Sequence, residues 1–271
     1  MDTKNLGFLQ KQTTYLGFGD SLHEKIKEQL QAGQPKFDLA HTGNFNGKET
    51  EYTLHFAKGT TSDYYFLNSY DAKMGDYQIN ISIRSVKVEN GNGEKLNPNI
   101  TAKESFNILD GRSVYKSRIN KENQHYNAWF SLDPSAKNDA GFTALKSIHD
   151  NYGYDMAKEL ANVKGTEFQL ALPEKQAEQA LKKGNLVEIH NADKSEKYFI
   201  ATDPYYKTMM VFDAEGKRQY VRNTAQVSQE QNRSVPEKQE AKQVETAVAV
   251  NCIIEANLLT GLRKINLQFY K

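Results

Sequence analysis

A chain of 271 residues with 38% hydrophobic and 11% aromatic side chains is long enough to close one large core or two of ordinary size. Its 35 basic against 34 acidic residues leave a net charge of +1, which excludes the strongly basic balance of a general phosphate-backbone binder but not a local basic face. The lone cysteine, Cys252, excludes an internal disulfide and fits a reducing compartment.

The start, Met1-Asp2-Thr3-Lys4-Asn5, lacks the positive-then-apolar pattern of a secretory signal. No run approaches the roughly 18 apolar residues of a membrane span. A cytoplasmic protein that does not enter a membrane is the expectation.

The first predicted helix carries a capping-box pattern, Ser21 with Glu24, and places Leu22, Ile26 and Leu30 on one face. Gly33 is its stop, since a left-handed cap costs glycine little. Residues 37–88 read as β. Tyr52, Leu54 and Phe56 alternate with Thr53 and His55, as a half-buried strand should. A second strand is predicted over 63–69, a turn over 71–76, and a third strand with Tyr77, Ile79, Ile81 and Ile83 on one face. Val86 and Val88 fall on the opposite phase, which predicts a bulge near Arg84-Ser85. Asn90-Gly91-Asn92-Gly93 and Pro98 then break the chain.

The second unit opens with another capping box, Thr101 with Glu104, ahead of Phe106, Ile108 and Leu109. Strands are predicted at 113–115 and 126–132, joined by a polar connection at 120–123. Phe142, Leu145, Ile148, Tyr152, Met156 and Leu160 recur at helical steps, with Gly153 interrupting them, so two short helices are expected. The third unit begins at Pro173 with a helix that carries Ala177, Ala180 and Leu181 on its apolar face. Strands at 186–189, 197–202 and 208–212 follow, with a hairpin turn at 213–217. Residues 226–243 read as a polar linker and 244–271 as an apolar C-terminal segment.

Taken together, the helix stops at Gly33, Gly111 and Gly184 each precede β-patterned sequence that closes on Asp71-x-Lys73, Asp133-Pro134-x-x-Lys137 or Asp203-Pro204-x-x-Lys207. The predicted fold class is therefore α+β, with three copies of a helix-plus-antiparallel-sheet unit at 1–98, 99–165 and 166–225.

Chemistry is less legible. The six histidines are scattered and a single cysteine offers no zinc-ligand set, so neither metal nor cofactor is expected. No serine elbow or phosphate-cradling glycine loop is present. Asp-Pro pairs have a plain turn explanation, which takes precedence. Beside it stands a binding reading: Lys73, Lys137 and Lys207 as a row of cations on one sheet edge, next to Tyr70, Trp129, Tyr205 and Tyr206, stacking bases and holding phosphates. Asn151-Tyr152-Gly153-Tyr154-Asp155 adds Tyr154 as an interface candidate, with Tyr152 read as core.

Six strings carry a resemblance: Tyr15-Leu16-Gly17-Phe18-Gly19, His41-Thr42-Gly43, the run 63–71, Leu109-Asp110-Gly111-Arg112-Ser113-Val114, Tyr126-Asn127-Ala128-Trp129 and the Asn151 to Asp155 string. They resemble an uncharacterised family carried by conjugative transposons and plasmids of gut bacteria. Related segments, built on the Gly111-x-x-Val114 and Tyr126-Asn127-Ala128 strings, are appended to topoisomerase-like proteins of the same elements. The resemblance covers residues 15–221. It implies a role in the biology of a mobile genetic element and carries over no catalytic residue. The expectation is a non-enzymatic accessory protein binding DNA or RNA; the alternative is a protein-interaction module, an adaptor or an antagonist of host defence.

Overall fold

The computed structural model describes residues 2–84, 88–89, 95–96, 98–120, 122, 124–164 and 168–219. Of the bulge expected near Arg84-Ser85, Ser85 and Val86 lie outside the described residues, as do the break at 90–93, the linker 226–243, the apolar end 244–271 and Cys252.

The chain opens on a helix that its own composition conceals. α1 (Thr3–Tyr15) is polar and contains Gly7, and Leu9 is its one fully buried large apolar residue. Asp2 starts it, its Oδ1 accepting the backbone N–H of Lys4 at 2.7 Å and of Asn5 at 2.9 Å. α2 (His23–Ala32) buries Ile26 and Leu30 and ends at Gly33 with φ 69°. The Ser21–Glu24 capping box does not form. Leu22 enters the helix already in αR geometry with no side-chain cap, and Ser21 Oγ instead approaches His41 Nδ1 at 3.4 Å.

The first sheet is a meander of β1 (Lys36–Phe45), β2 (Lys48–Lys58), β3 (Tyr65–Met74) and β4 (Tyr77–Ser82), antiparallel in that order. Tyr52, Leu54, Phe56, Leu67, Tyr70, Ala72, Ile79 and Ile81 fill its packed face. The turn expected over 71–76 is confined to Gly75-Asp76, because Asp71, Ala72 and Lys73 remain paired with β4. A short ribbon, β5 (Val88–Glu89) with β6 (Lys95–Leu96), follows.

α3 (Ala102–Leu109) forms its capping box as predicted, Thr101 Oγ1 accepting Glu104 N–H while Thr101 N–H donates to Glu104 Oε2 at 2.8 Å. The helix is buried almost all round, packed against β1, β3 and β4 on one side and the second sheet on the other. That second sheet comprises β7 (Val114–Ile119), β8 (His125–Lys137) and β9 (Thr143–His149). β9 corrects the sequence reading, which made 142–148 helical. Ile148 pairs with Trp129 and Leu145 with Leu132, and strand pairing to β8 overrides a three-residue apolar spacing that by itself favours a helix face. Only after His149 does the chain coil, through a 3-10 turn (Asp150–Tyr152) and Gly153 at φ 82°, into α4 (Met156–Lys164).

β10 (Phe168–Leu170) precedes α5 (Glu174–Lys182), and β11 (Val187–Asn191), β12 (Lys197–Asp203), β13 (Thr208–Phe212) and β14 (Arg218–Gln219) complete a third antiparallel sheet with β10 at its edge. The α+β class is as expected. Left-handed glycines follow or close α2, α3 and α5, at Gly33, Gly111 and Gly184. The sheets, however, have four, three and five strands. The Asp…Lys elements also differ: Asp71 and Lys73 lie inside β3, Asp133 and Lys137 flank a register slip at the end of β8, and Asp203 to Lys207 is a hairpin turn. A strict three-copy repeat does not emerge from this topology.

Two hydrophobic cores result, and β8 serves both. Ala128 and Phe130 face the first core with α1, α2 and the first sheet; Trp129, one residue out of phase, joins Leu160, Leu181, Ile189 and Ile200 in the second. A strand buried on both faces explains why Ala128, Trp129 and Phe130 are apolar in succession instead of alternating with polar residues.

Candidate functional site

The residues singled out in the sequence are divided by the fold. Trp129 is 4% exposed and packs against Tyr115 and, edge to face at 5.6 Å, Tyr154. Tyr154 directs its hydroxyl toward Met209 Sδ at 3.8 Å, and burial raises its pKa. Trp129 is therefore a core residue, and Tyr154 a partly buried one packed against that core. The three lysines occupy three different sheets, so no row of cations on one edge exists. Lys73 stands on β3 paired with Glu51 at 3.4 Å; Lys137 is exposed at the end of β8; Lys207 belongs to the β12–β13 turn.

That turn is built by its own sequence. Asp203 Oδ1 accepts the Tyr206 N–H at 3.3 Å, Lys207 N–H reaches back to Pro204 O at 3.3 Å, and Lys207 takes a left-handed φ of 53°. The geometry thrusts the two intervening rings outward: Tyr205 is 49% and Tyr206 70% exposed, edge to face at 4.9 Å. Tyr152, expected in the core, joins them instead at 43% exposure, its hydroxyl donating to Tyr205 O at 3.0 Å. Lys207 Nζ lies 4.6 Å from the Tyr152 ring, and Lys146 Nζ on β9 lies 5.3 Å from the Tyr205 ring. Tyr152, Tyr205, Tyr206, Lys146 and Lys207 thus make one exposed aromatic–cation cluster. No family model, curated protein or solved structure matches this chain. Its function has to be read from such surfaces.

Acidic groups flank the cluster. Lys146 is 3.3 Å from Asp133, which also caps the turn at Ser135, and Arg218 is 3.5 Å from Asp203. Asp150 accepts the Tyr115 hydroxyl at 3.0 Å, and burial, followed by this carboxylate, raises the pKa of Tyr115. Among the described residues no three His, Cys, Asp or Glu side chains are grouped to hold a metal ion, and no helix is long and apolar enough to cross a membrane.

Sequence reasoning passed over a second polar assembly, at the C-terminus of α3. Arg112, almost wholly buried, donates from Nε to Gly184 O at 2.8 Å, from one terminal nitrogen to Asp110 at 2.6 Å and from the other to Asn107 Oδ1 at 2.7 Å. Asn107 Nδ2 in turn donates to Lys183 O and Asn185 Oδ1. Burial, only partly offset by Asp110, lowers the Arg112 pKa. The α5–β11 turn comes so close that a Cβ on Gly184 would stand 2.9 Å from Ser113 O, at a φ of 72°. The only local signal was the Asp110-Gly111-Arg112 string, whose partners lie some seventy residues away.

Proposed function

We propose that this protein is a non-enzymatic accessory protein of a mobile genetic element that binds single-stranded nucleic acid through the Tyr205–Tyr206 turn. The observation carrying this reading is the pair of outward tyrosine rings with Lys146 and Lys207 beside them. Exposed aromatic faces stack on bases of any sequence, and adjacent ammonium groups meet phosphates. The near-balanced charge disfavours duplex binding by phosphates alone, since that mode needs many unpaired cations. The mobile-element setting rests on the resemblance of the six sequence strings.

Fluorescence anisotropy with labelled single-stranded and duplex DNA, at low and moderate salt, tests it. Micromolar, salt-dependent binding that prefers the single strand is expected. Replacing Tyr206 by Ala should weaken it by about 1–3 kcal/mol, the worth of one stacked base. Absence of salt-dependent binding ends the reading.

One observation favours the alternative, a protein-interaction module. Lys146 and Arg218 are matched by Asp133 and Asp203, which leaves fewer cations for phosphates, and exposed tyrosines are enriched at protein interfaces. Affinity capture from the native host followed by mass spectrometry separates the two.

A further inference from the structure

A cleft of about 790 Å³ opens where the β1–β2 turn, α3, the α3–β7 turn and the outer face of the third sheet meet. Its volume lies within the range of small-molecule sites, roughly 300–1,000 Å³.

The apolar wall comes from an irregularity of the third sheet. Ile200 and Val211 are paired across β12 and β13 and point into the second core. Phe199 and Phe212 are the next pair in register, so they lie together on the opposite face. An antiparallel sheet with one packed face ordinarily carries polar residues on the other. Here two half-buried phenylalanines sit there side by side and line the cleft.

The facing wall is cationic. Lys48, Lys103 and Arg112 line it against Asp110 and Glu215. Asp110 is already engaged by Lys48 and Arg112, and every nitrogen of Arg112 has a protein acceptor. Lys103 differs. Its Nζ lies 5.0 Å from the Phe45 ring and 4.7 Å from the Phe106 ring, with Asn46 Oδ1 at 3.5 Å and no carboxylate at ion-pair distance among the described residues. Burial and then the neighbouring Arg112 push its pKa down. A cation so placed gains from an arriving anion, which relieves the repulsion and replaces the lost hydration. Asn46 and Asn185 add carboxamides to the lining, groups suited to the polar edge of a flat ring.

We infer that this cleft binds a nucleoside phosphate, its base lying on Phe199 and Phe212 and its phosphate held by Lys103 and Lys48. The source is either a free mononucleotide or the 5′-phosphorylated end of a strand. The site shares no residue with the Tyr205–Tyr206 surface, so each stands or falls alone.

Isothermal titration calorimetry on the full chain tests the inference with AMP, adenosine, inorganic phosphate, and a short oligonucleotide with and without a 5′ phosphate. Binding of AMP is expected, with adenosine and phosphate each at least about tenfold weaker because each keeps only half of the recognition. Lys103→Gln should weaken AMP about tenfold at an unchanged melting temperature, and Lys103→Arg should restore it. Should Lys103→Gln unfold, Phe199→Leu decides instead: it weakens AMP and leaves phosphate unaffected. Tyr206→Ala leaves AMP binding intact. A preference for the 5′-phosphorylated oligonucleotide over AMP assigns the site to strand ends, and the reverse assigns it to free nucleotide. No binding of AMP, or binding indifferent to both Lys103 and Phe199, overturns the inference.

Discussion

Tyr52 and Tyr70 in the first sheet and Tyr205 and Tyr206 in the β12–β13 turn are the same residue put to opposite uses. The first pair is fully buried around the edge of Phe18, and each hydroxyl finds a backbone carbonyl at the start of α3: Tyr52 donates to Ala102 O and Tyr70 to Ile100 O, both at 2.8 Å. Burial pushes the Tyr52 phenol up to about 12 and Tyr70 well above its ordinary value, so both stay protonated donors. These rings clamp a helix onto a sheet. The hydroxyls of the second pair meet no such acceptor among the described residues, and both rings remain largely exposed. Aromatic content alone therefore says little about binding; strand phase and a left-handed turn residue decide which rings are open.

The contrast between a closed interior around α3 and an open turn can be pressed hardest at Lys116. Its ammonium is 2.7 Å from Glu104 Oε2, and both side chains are under a tenth exposed. Lys116→Met strands a buried carboxylate and should cost about 3–5 kcal/mol in urea unfolding, while the double variant with Glu104→Gln recovers a large part of that loss. A smaller effect is expected for Tyr70→Phe, about 1–2 kcal/mol, because Ile100 O loses its buried donor. Loss of under about 0.5 kcal/mol there would show that ring packing, not the hydroxyl, holds α3.

His55 supplies a pH-dependent version. Burial disfavours its charged form, but Asp38 at 2.8 Å and Asp71 at 3.2 Å outweigh burial and raise its pKa. Because the folded value lies above the unfolded one of about 6.5, the contribution is fully present below about pH 6.5 and fades as pH rises through the folded pKa. His55→Gln should remove that slope from chemical denaturation curves, a change of under about 1 kcal/mol at so open a site. The smallest effect belongs to the turn. Tyr206→Ser should leave stability within about 0.5 kcal/mol of the parent while abolishing the preference for single strands in the anisotropy titration.

How far the sequence could be read depended on the range of the interaction. The Thr101–Glu104 box was legible and formed, whereas the equivalent pattern at Ser21–Glu24 did not, because Leu22 was drawn into the first core and began the helix one residue late. Of the candidate site residues, Tyr205, Tyr206 and Lys207 came together because they share one turn. Trp129 and Tyr154 were taken by the second core, and Lys73 and Lys137 went to other sheets.

By itself the sequence determined what neighbouring residues settle among themselves: the left-handed stops at Gly33, Gly111 and Gly184, the alternation through Tyr52, Leu54 and Phe56, and the Asp203-Pro204 turn. These follow from backbone sterics and hydrogen bonds spanning a few positions. The strand identity of β9, the double-sided burial of β8, and the cleft between Lys103 and Phe199 were decided by tertiary structure. Their determining contacts, such as Asn107 with Asn185 and Arg112 with Gly184, join residues 78 and 72 positions apart. No local pattern encodes such a meeting, because its energy exists only once two cores have closed around a shared strand.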